Sequence, residues 1–93
     1  MVLAVLQLLL RLAEAQSLKE KRRHLKSLVT RIRGRFNVSV SEVGQQDSWQ
    51  SALVAVAYVG NDRAHANALL DQVLNLAKSA QPVEVVDSRL EFY

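Results

Sequence analysis

The chain has 93 residues, 49% hydrophobic and 23% charged, which suits one small globular domain and excludes wholesale disorder. It contains no cysteine, so a disulfide scaffold, a thiolate metal site and a cysteine nucleophile are all ruled out. Twelve basic and nine acidic residues give a net charge of +3, yet eight of the basic residues and a single acid fall between positions 17 and 35. The rest of the chain is acidic on balance, and one basic element on such a body points to an anionic partner.

Residues 2–12 are rich in Leu and Val with few polar interruptions. They predict a strand covered on one face and partly covered on the other. The same run, followed by Ala13 and Ala15, has the look of a leader segment. No basic residues precede it, Gln7 interrupts it, and it is far short of the ~18–20 apolar residues that span a bilayer, so neither secretion nor a membrane span is expected. Ser17 with Glu20 three residues on forms a capping box. Apolar residues then recur at Leu18, Leu25, Leu28, Val29 and Ile32, and Gly34 suits the position just past a helix end. A first helix is therefore predicted over about 17–33.

Residues 36–43 alternate, with Phe36, Val38 and Val40 turned one way and Asn37, Ser39 and Ser41 the other. This predicts a half-exposed strand at a sheet edge. A turn over 44–48 follows, then an almost wholly apolar strand over 50–60. Asn61 or Asp62 can cap a second helix whose inner side carries Ala66, Leu69, Leu70, Val73, Leu76 and Ala77. Pro82 ends the connection, and residues 83–92 form a last strand with polar interruptions, again an edge. The order β-α-β-β-α-β predicts a single α+β domain over residues 1–93. This is a ferredoxin-like sandwich, a four-stranded antiparallel sheet with both helices on one face. Strands 1 and 3, the most apolar, take the centre.

In that topology the start of helix 1 and the turn between strands 2 and 3 share one end of the sheet. Ser17–Arg23 and Gln45–Gln50 become neighbours, which is the densest chemistry in the chain. At 100° per residue, Arg22, Arg33, Lys26, Lys19 and Arg23 fall in one arc beside the apolar stripe. Cations in the first turns of a helix oppose its dipole, and a bound anion would offset this. The arc reads as a phosphate-contacting surface, with a merely solvated face as the alternative. Lys21 lies at the edge of the stripe, where a buried stem with its ammonium in water is expected rather than a catalytic lysine. Trp49 is expected as a lid over the end of the core, a stacking platform for a base being the alternative. Asp47 is expected to bond the turn backbone, with contact to the basic cluster as the alternative.

Nothing resembles a catalytic constellation. His24 and His65 lie on different helices, so no metal is expected. No glycine-rich phosphate loop and no nucleophile elbow occur, so neither enzymatic activity nor a small-molecule cofactor is expected. RNA-recognition motifs of this topology stack bases on aromatics of the two central strands. Strand 1 has no aromatic and strand 3 only Tyr58, so any nucleic acid should lie on the helix 1 side. The open sheet face is different. Strand 1 carries Leu3, Val5 and Leu9 on one side, with Gln7 and Arg11, and Leu6, Leu8, Leu10 and Leu12 on the other; the helices can cover only one face, and the apolar face left open predicts an interface, most simply a two-fold homodimer.

The strings AQSLKEKRRHLKSLVTRIRGRFNVSVSEV, QDSWQ and GNDRAHANALLDQVL make the chain resemble the YlxP-like family of small bacterial proteins. The likeness spans about residues 2–92 and is most specific in SLKEKRR and RFNVSVSEV. It implies a ferredoxin-like fold and a cytoplasmic bacterial protein whose genes keep company with those for translation and ribosome-maturation factors. The matching positions to test are Ser17, Leu18, Lys19, Lys21, Arg22, Asp47, Trp49, Gln50, Asn61 and Asp62; no catalytic residue is carried over. Gly60 departs from the Ser-like residue expected before Asn-Asp. Together these readings predict a non-catalytic module that binds structured RNA or a ribosomal subunit. Contact would run through Lys19, Arg22, Arg23, Lys26 and Arg33, with Trp49 and Gln50 adjacent. The alternative is a homodimeric interaction module built on the open sheet face.

Overall fold

The computed structural model describes all 93 residues. Strand β1 (Val2–Arg11) leads into helix α1 (Leu18–Arg35), followed by β2 (Ser39–Gly44), β3 (Ser51–Gly60), α2 (Arg63–Lys78) and β4 (Glu84–Phe92). The four strands form one antiparallel sheet in the order β2-β3-β1-β4, the ferredoxin-like arrangement. The two most apolar strands are the central ones, as their composition demands, because a central strand leaves no polar edge to solvate.

Alternation along β1 divides the sheet faces. Ala4, Leu6, Leu8 and Leu10 are buried under the helices, while Leu3, Val5, Gln7 and Leu9 are only partly covered on the other side. Val54 and Val56 of β3 join the buried set, as do Leu25, Leu28 and Ile32 of α1 and Leu70, Val73 and Leu76 of α2. Helix α1 packs against β2, and α2 lies over β1, β3 and β4. Each edge strand carries an irregularity. Val43 is inserted in the β2–β3 ladder and Val86 in the β4–β1 ladder, and both are exposed. Bulges of this kind blunt edge strands against pairing with other chains.

Two boundaries differ from expectation. Helix α1 runs through Gly34 to Arg35, and Phe36 closes it by donating its N–H to the Ile32 carbonyl at 2.9 Å. Gly34 lies where a side chain would meet nothing within 4 Å. A helical glycine costs about 1 kcal/mol. Phe36, which caps this extension, packs against the core and works against that cost. Strand β2 consequently begins at Ser39 rather than at residue 36, although Phe36 and Val38 still turn inward. Gly60 has a local reason of its own, since a Cβ there would come within 2.7 Å of the Tyr58 ring.

Candidate functional site

The first turn of α1 is set by Ser17, whose Oγ accepts from the Glu20 N–H at 3.1 Å. The reciprocal half of the box is displaced by one residue, because Glu20 Oε2 accepts from Gln16 N–H at 2.8 Å. One turn into the helix, Lys21 is 1% exposed, so the expectation of a solvated ammonium is overturned. Its Nζ donates to the carbonyl oxygens of Gln45 and Ser48, both at 2.7 Å, and pairs with Glu42 Oε2 at 2.9 Å. Two hydrogen bonds and one ion pair to the ammonium make its burial tolerable. Glu42 Oε2 is itself buried, with the Lys21 ammonium as its close partner.

The β2–β3 turn is thus clamped from inside. Gln45 adopts a left-handed backbone (φ 63°), and Ser48 N–H donates back to its carbonyl at 3.1 Å. Gln50 ties the turn to the β1–α1 connection. Its Nε2 donates to Ala13 O at 3.0 Å and Ala15 O at 3.3 Å, and its carbonyl accepts from Leu12 N–H at 2.9 Å. The amide nitrogen of Gln50 is therefore committed to structure. Gln50→Ala is expected to lower stability by about 1–2 kcal/mol, two lost hydrogen bonds at their usual net worth, as read from a urea midpoint.

With its backbone held in this way, the turn presents Trp49 to solvent. Trp49 is 53% exposed, so it is not a lid on the core. At the same end of the sheet Lys21 and Leu12 are both essentially inaccessible. Asp47 forms no bond to the turn backbone either; the Lys21 ammonium does that work. Asp47, Ser48, Trp49 and Gln50 line one open concavity.

The basic arc lies alongside. Lys19, Arg22, Arg23 and Lys26 are all exposed. The chain's ion pairs are Lys21–Glu42 and Arg89–Glu91, so none of these four cations is neutralised by an acid. Arg33 is partly engaged: its Nη2 donates to Val40 O at 2.7 Å across the free edge of β2. That contact shows which way the arc faces. Lys26 and Arg22, seven and eleven residues before Arg33, share its side of the helix. From Lys19 to Arg33 the ridge is about 21 Å long at 1.5 Å per residue. The structure thus brings Lys19, Arg22, Lys26 and Arg33 into one ridge on the β2 side of α1, with Arg23 on its outer flank.

The remaining singled-out residues have local duties. Asp62 caps α2, accepting from Ala64 N–H at 2.9 Å and His65 N–H at 3.3 Å. His65 meets Tyr58 edge to face at 5.9 Å, and His24 lies on the other helix, so no cluster of metal-ligating side chains forms. The Lys21–Glu42 clamp is not among the sequence expectations. Its signal was present: a lysine on the apolar stripe of α1, and an acid in phase with the inward-facing Val38 and Val40.

Comparison with known proteins agrees with this architecture. Over 80 residues the chain is 40% identical to "Uncharacterized protein YlxP" of Bacillus subtilis (strain 168), covering 86% of this chain and 87% of that protein. A solved structure, "De novo designed protein Foldit4", matches all of this chain and 97% of its own with a TM-score of 0.57 at 14% identity, a likeness of fold alone. Residues 3–90 match the family model described as "Protein of unknown function (DUF503)". The chain therefore belongs to the DUF503 family, with YlxP as a relative.

Proposed function

We propose that the protein is a non-catalytic RNA-binding accessory module that docks structured RNA, such as that of a ribosomal subunit, against the basic ridge of α1. The observation that carries this reading is the ridge itself. Lys19, Arg22, Arg23 and Lys26 are exposed and without an acidic partner, on a domain whose other residues are acidic on balance. Binding works by neutralising phosphates and by shape, without reading base edges along a duplex. The test is affinity for ribosomal subunits and for a structured RNA hairpin across a salt series, with Arg22→Glu/Lys26→Glu as the variant. Loss of binding in a folded variant is the expected outcome. Unchanged affinity would overturn the reading.

A second reading concerns the open sheet face and is favoured by its layout. Leu3, Val5, Leu9, Leu53 and Val59 make the middle of this face along β1 and β3 mostly apolar, with Gln7 among them. Ser39 and Ser41 border it on β2, and Asp87, Arg89 and Glu91 border it on β4. An apolar centre with a polar rim is the anatomy of an interface. We propose that a second copy of this chain covers it, about a two-fold axis parallel to the strands. That axis lays β4 of one copy along β2 of the other, so the polar borders of the two faces meet at the rim. Four strands about 4.8 Å apart and some eight residues long offer roughly 500 Å² of face per copy, which places the dimer among weak ones. Sedimentation across the micromolar range should show self-association that Val5→Lys abolishes. A strict monomer throughout would eliminate this dimer and leave the α1 reading untouched.

A further inference from the structure

The turn between β2 and β3 is more firmly built than a connection needs to be. A buried ammonium holds two of its carbonyls, a glutamine side chain ties it to the β1–α1 connection, and one residue takes a left-handed backbone. What this framework displays is an exposed tryptophan and an unpaired carboxylate in one concavity. Tryptophan is ordinarily well covered, and a burial cost met elsewhere to hold a side chain in water is the arrangement of a binding platform.

We propose that this concavity takes an unpaired guanine of RNA, stacked on the Trp49 indole, with the Asp47 carboxylate accepting from its N1–H and N2–H groups. The inference rests on the RNA reading of α1 and deepens it. An ionised carboxylate only accepts hydrogen bonds, so its best partner is an edge with two adjacent donors. Guanine alone among the RNA bases has one, at N1 and N2. Adenine and cytosine each set one amino group beside an acceptor, and uracil sets one N–H between two carbonyls. In a duplex that edge is paired and both faces are stacked, so the base must come from a loop, bulge or end. The phosphates flanking such a base then meet the cations of α1, which begin at the same end of the sheet.

Trp49 is the only tryptophan in the chain, so its fluorescence reports directly on stacking. The probes are three RNA hairpins that differ only in one unpaired loop base, G, A or U. The guanine hairpin is expected to quench Trp49 and to bind about tenfold or more tighter than the other two, as loss of a paired set of base contacts typically dictates. Asp47→Asn should erase the preference for guanine over adenine while quenching persists. Trp49→Leu should weaken guanine-hairpin binding by about 5- to 150-fold, the usual range for one lost stack, as read by filter retention or anisotropy. Both side chains lie outside the core, so circular dichroism should find both variants folded.

Equal affinity for the three hairpins with Trp49 unquenched would overturn the guanine site and leave the α1 reading standing. So would a preference for guanine that Asp47→Asn does not alter. Arg22→Glu/Lys26→Glu should weaken all three hairpins alike and keep their ratio. Quenching and guanine preference at undiminished affinity in that variant would overturn the α1 reading and leave the guanine site.

Discussion

Lys21→Met is expected to cost about 3–5 kcal/mol of folding stability, the usual penalty for removing one partner of a buried ion pair. Methionine keeps most of the apolar stem, so the loss isolates the ammonium. Without it, Glu42 Oε2 keeps its buried place with no cation, and the carbonyls of Gln45 and Ser48 lose donors at 2.7 Å. A domain of this size has only about 5–15 kcal/mol in total, so the variant should unfold at markedly lower urea. Glu42→Gln on the Lys21→Met background should recover part of the loss, because the unpaired charge is gone. The non-additivity of the two substitutions measures their coupling. A loss below about 1 kcal/mol would mean that the pair merely offsets its own desolvation. Arg23→Ala, on the solvent side of the same helix, is the control and should shift stability by no more than about 0.5 kcal/mol.

The second large effect is on binding. Arg22→Glu/Lys26→Glu removes two phosphate contacts and sets two anions in their place. Affinity for a structured RNA should fall by on the order of 100-fold at low salt. The salt dependence should flatten as well, by a slope of about 1.8, two contacts at about 0.9 each. Stability should hardly change, since both side chains are exposed and acids near a helix N-terminus oppose its dipole less than cations do. The slope separates a binding ridge from a solvated face. A solvated face would leave both affinity and slope as they were. Selective binding to ribosomal subunits at near-physiological salt would further distinguish a defined RNA partner from bare counterion release.

These two residues, Lys21 and Arg22, are sequence neighbours with opposite fates, and they mark how far residue-level reading reaches. Arg22 falls on the outer arc by helical periodicity, and the structure places it there in solvent. Lys21 falls on the apolar stripe by the same count, between Leu28 and Ile32, where a buried stem with a snorkelling ammonium is the ordinary expectation. Its burial depends on acceptors 21, 24 and 27 residues further along the chain, which no local pattern displays. Trp49 shows the converse. A lone tryptophan at a strand start is ordinarily covered, but here it stays half in solvent while Lys21, bonded to the same turn, is buried. Gln50 and Arg33 have exposed side chains whose polar atoms are nonetheless given to backbone carbonyls, of Ala13 and Ala15 in one case and of Val40 in the other.

By itself the sequence determined the order of elements, the central and edge strands, the Ser17 cap, the two buried helix stripes and the concentration of positive charge on α1, and it narrowed the second cap to Asn61 or Asp62. All of these follow from periodicity and short-range chemistry, in which the partners lie within about one helical turn or alternate along one strand. Only the tertiary structure decided that Lys21 goes inward, that Trp49 stays out, that Gln50 and Arg33 each give side-chain donors to backbone carbonyls, and that α1 continues through Gly34. Each of these turns on which side chain fills a given space and which carbonyl lies within reach, and those partners are brought together only when the sheet closes.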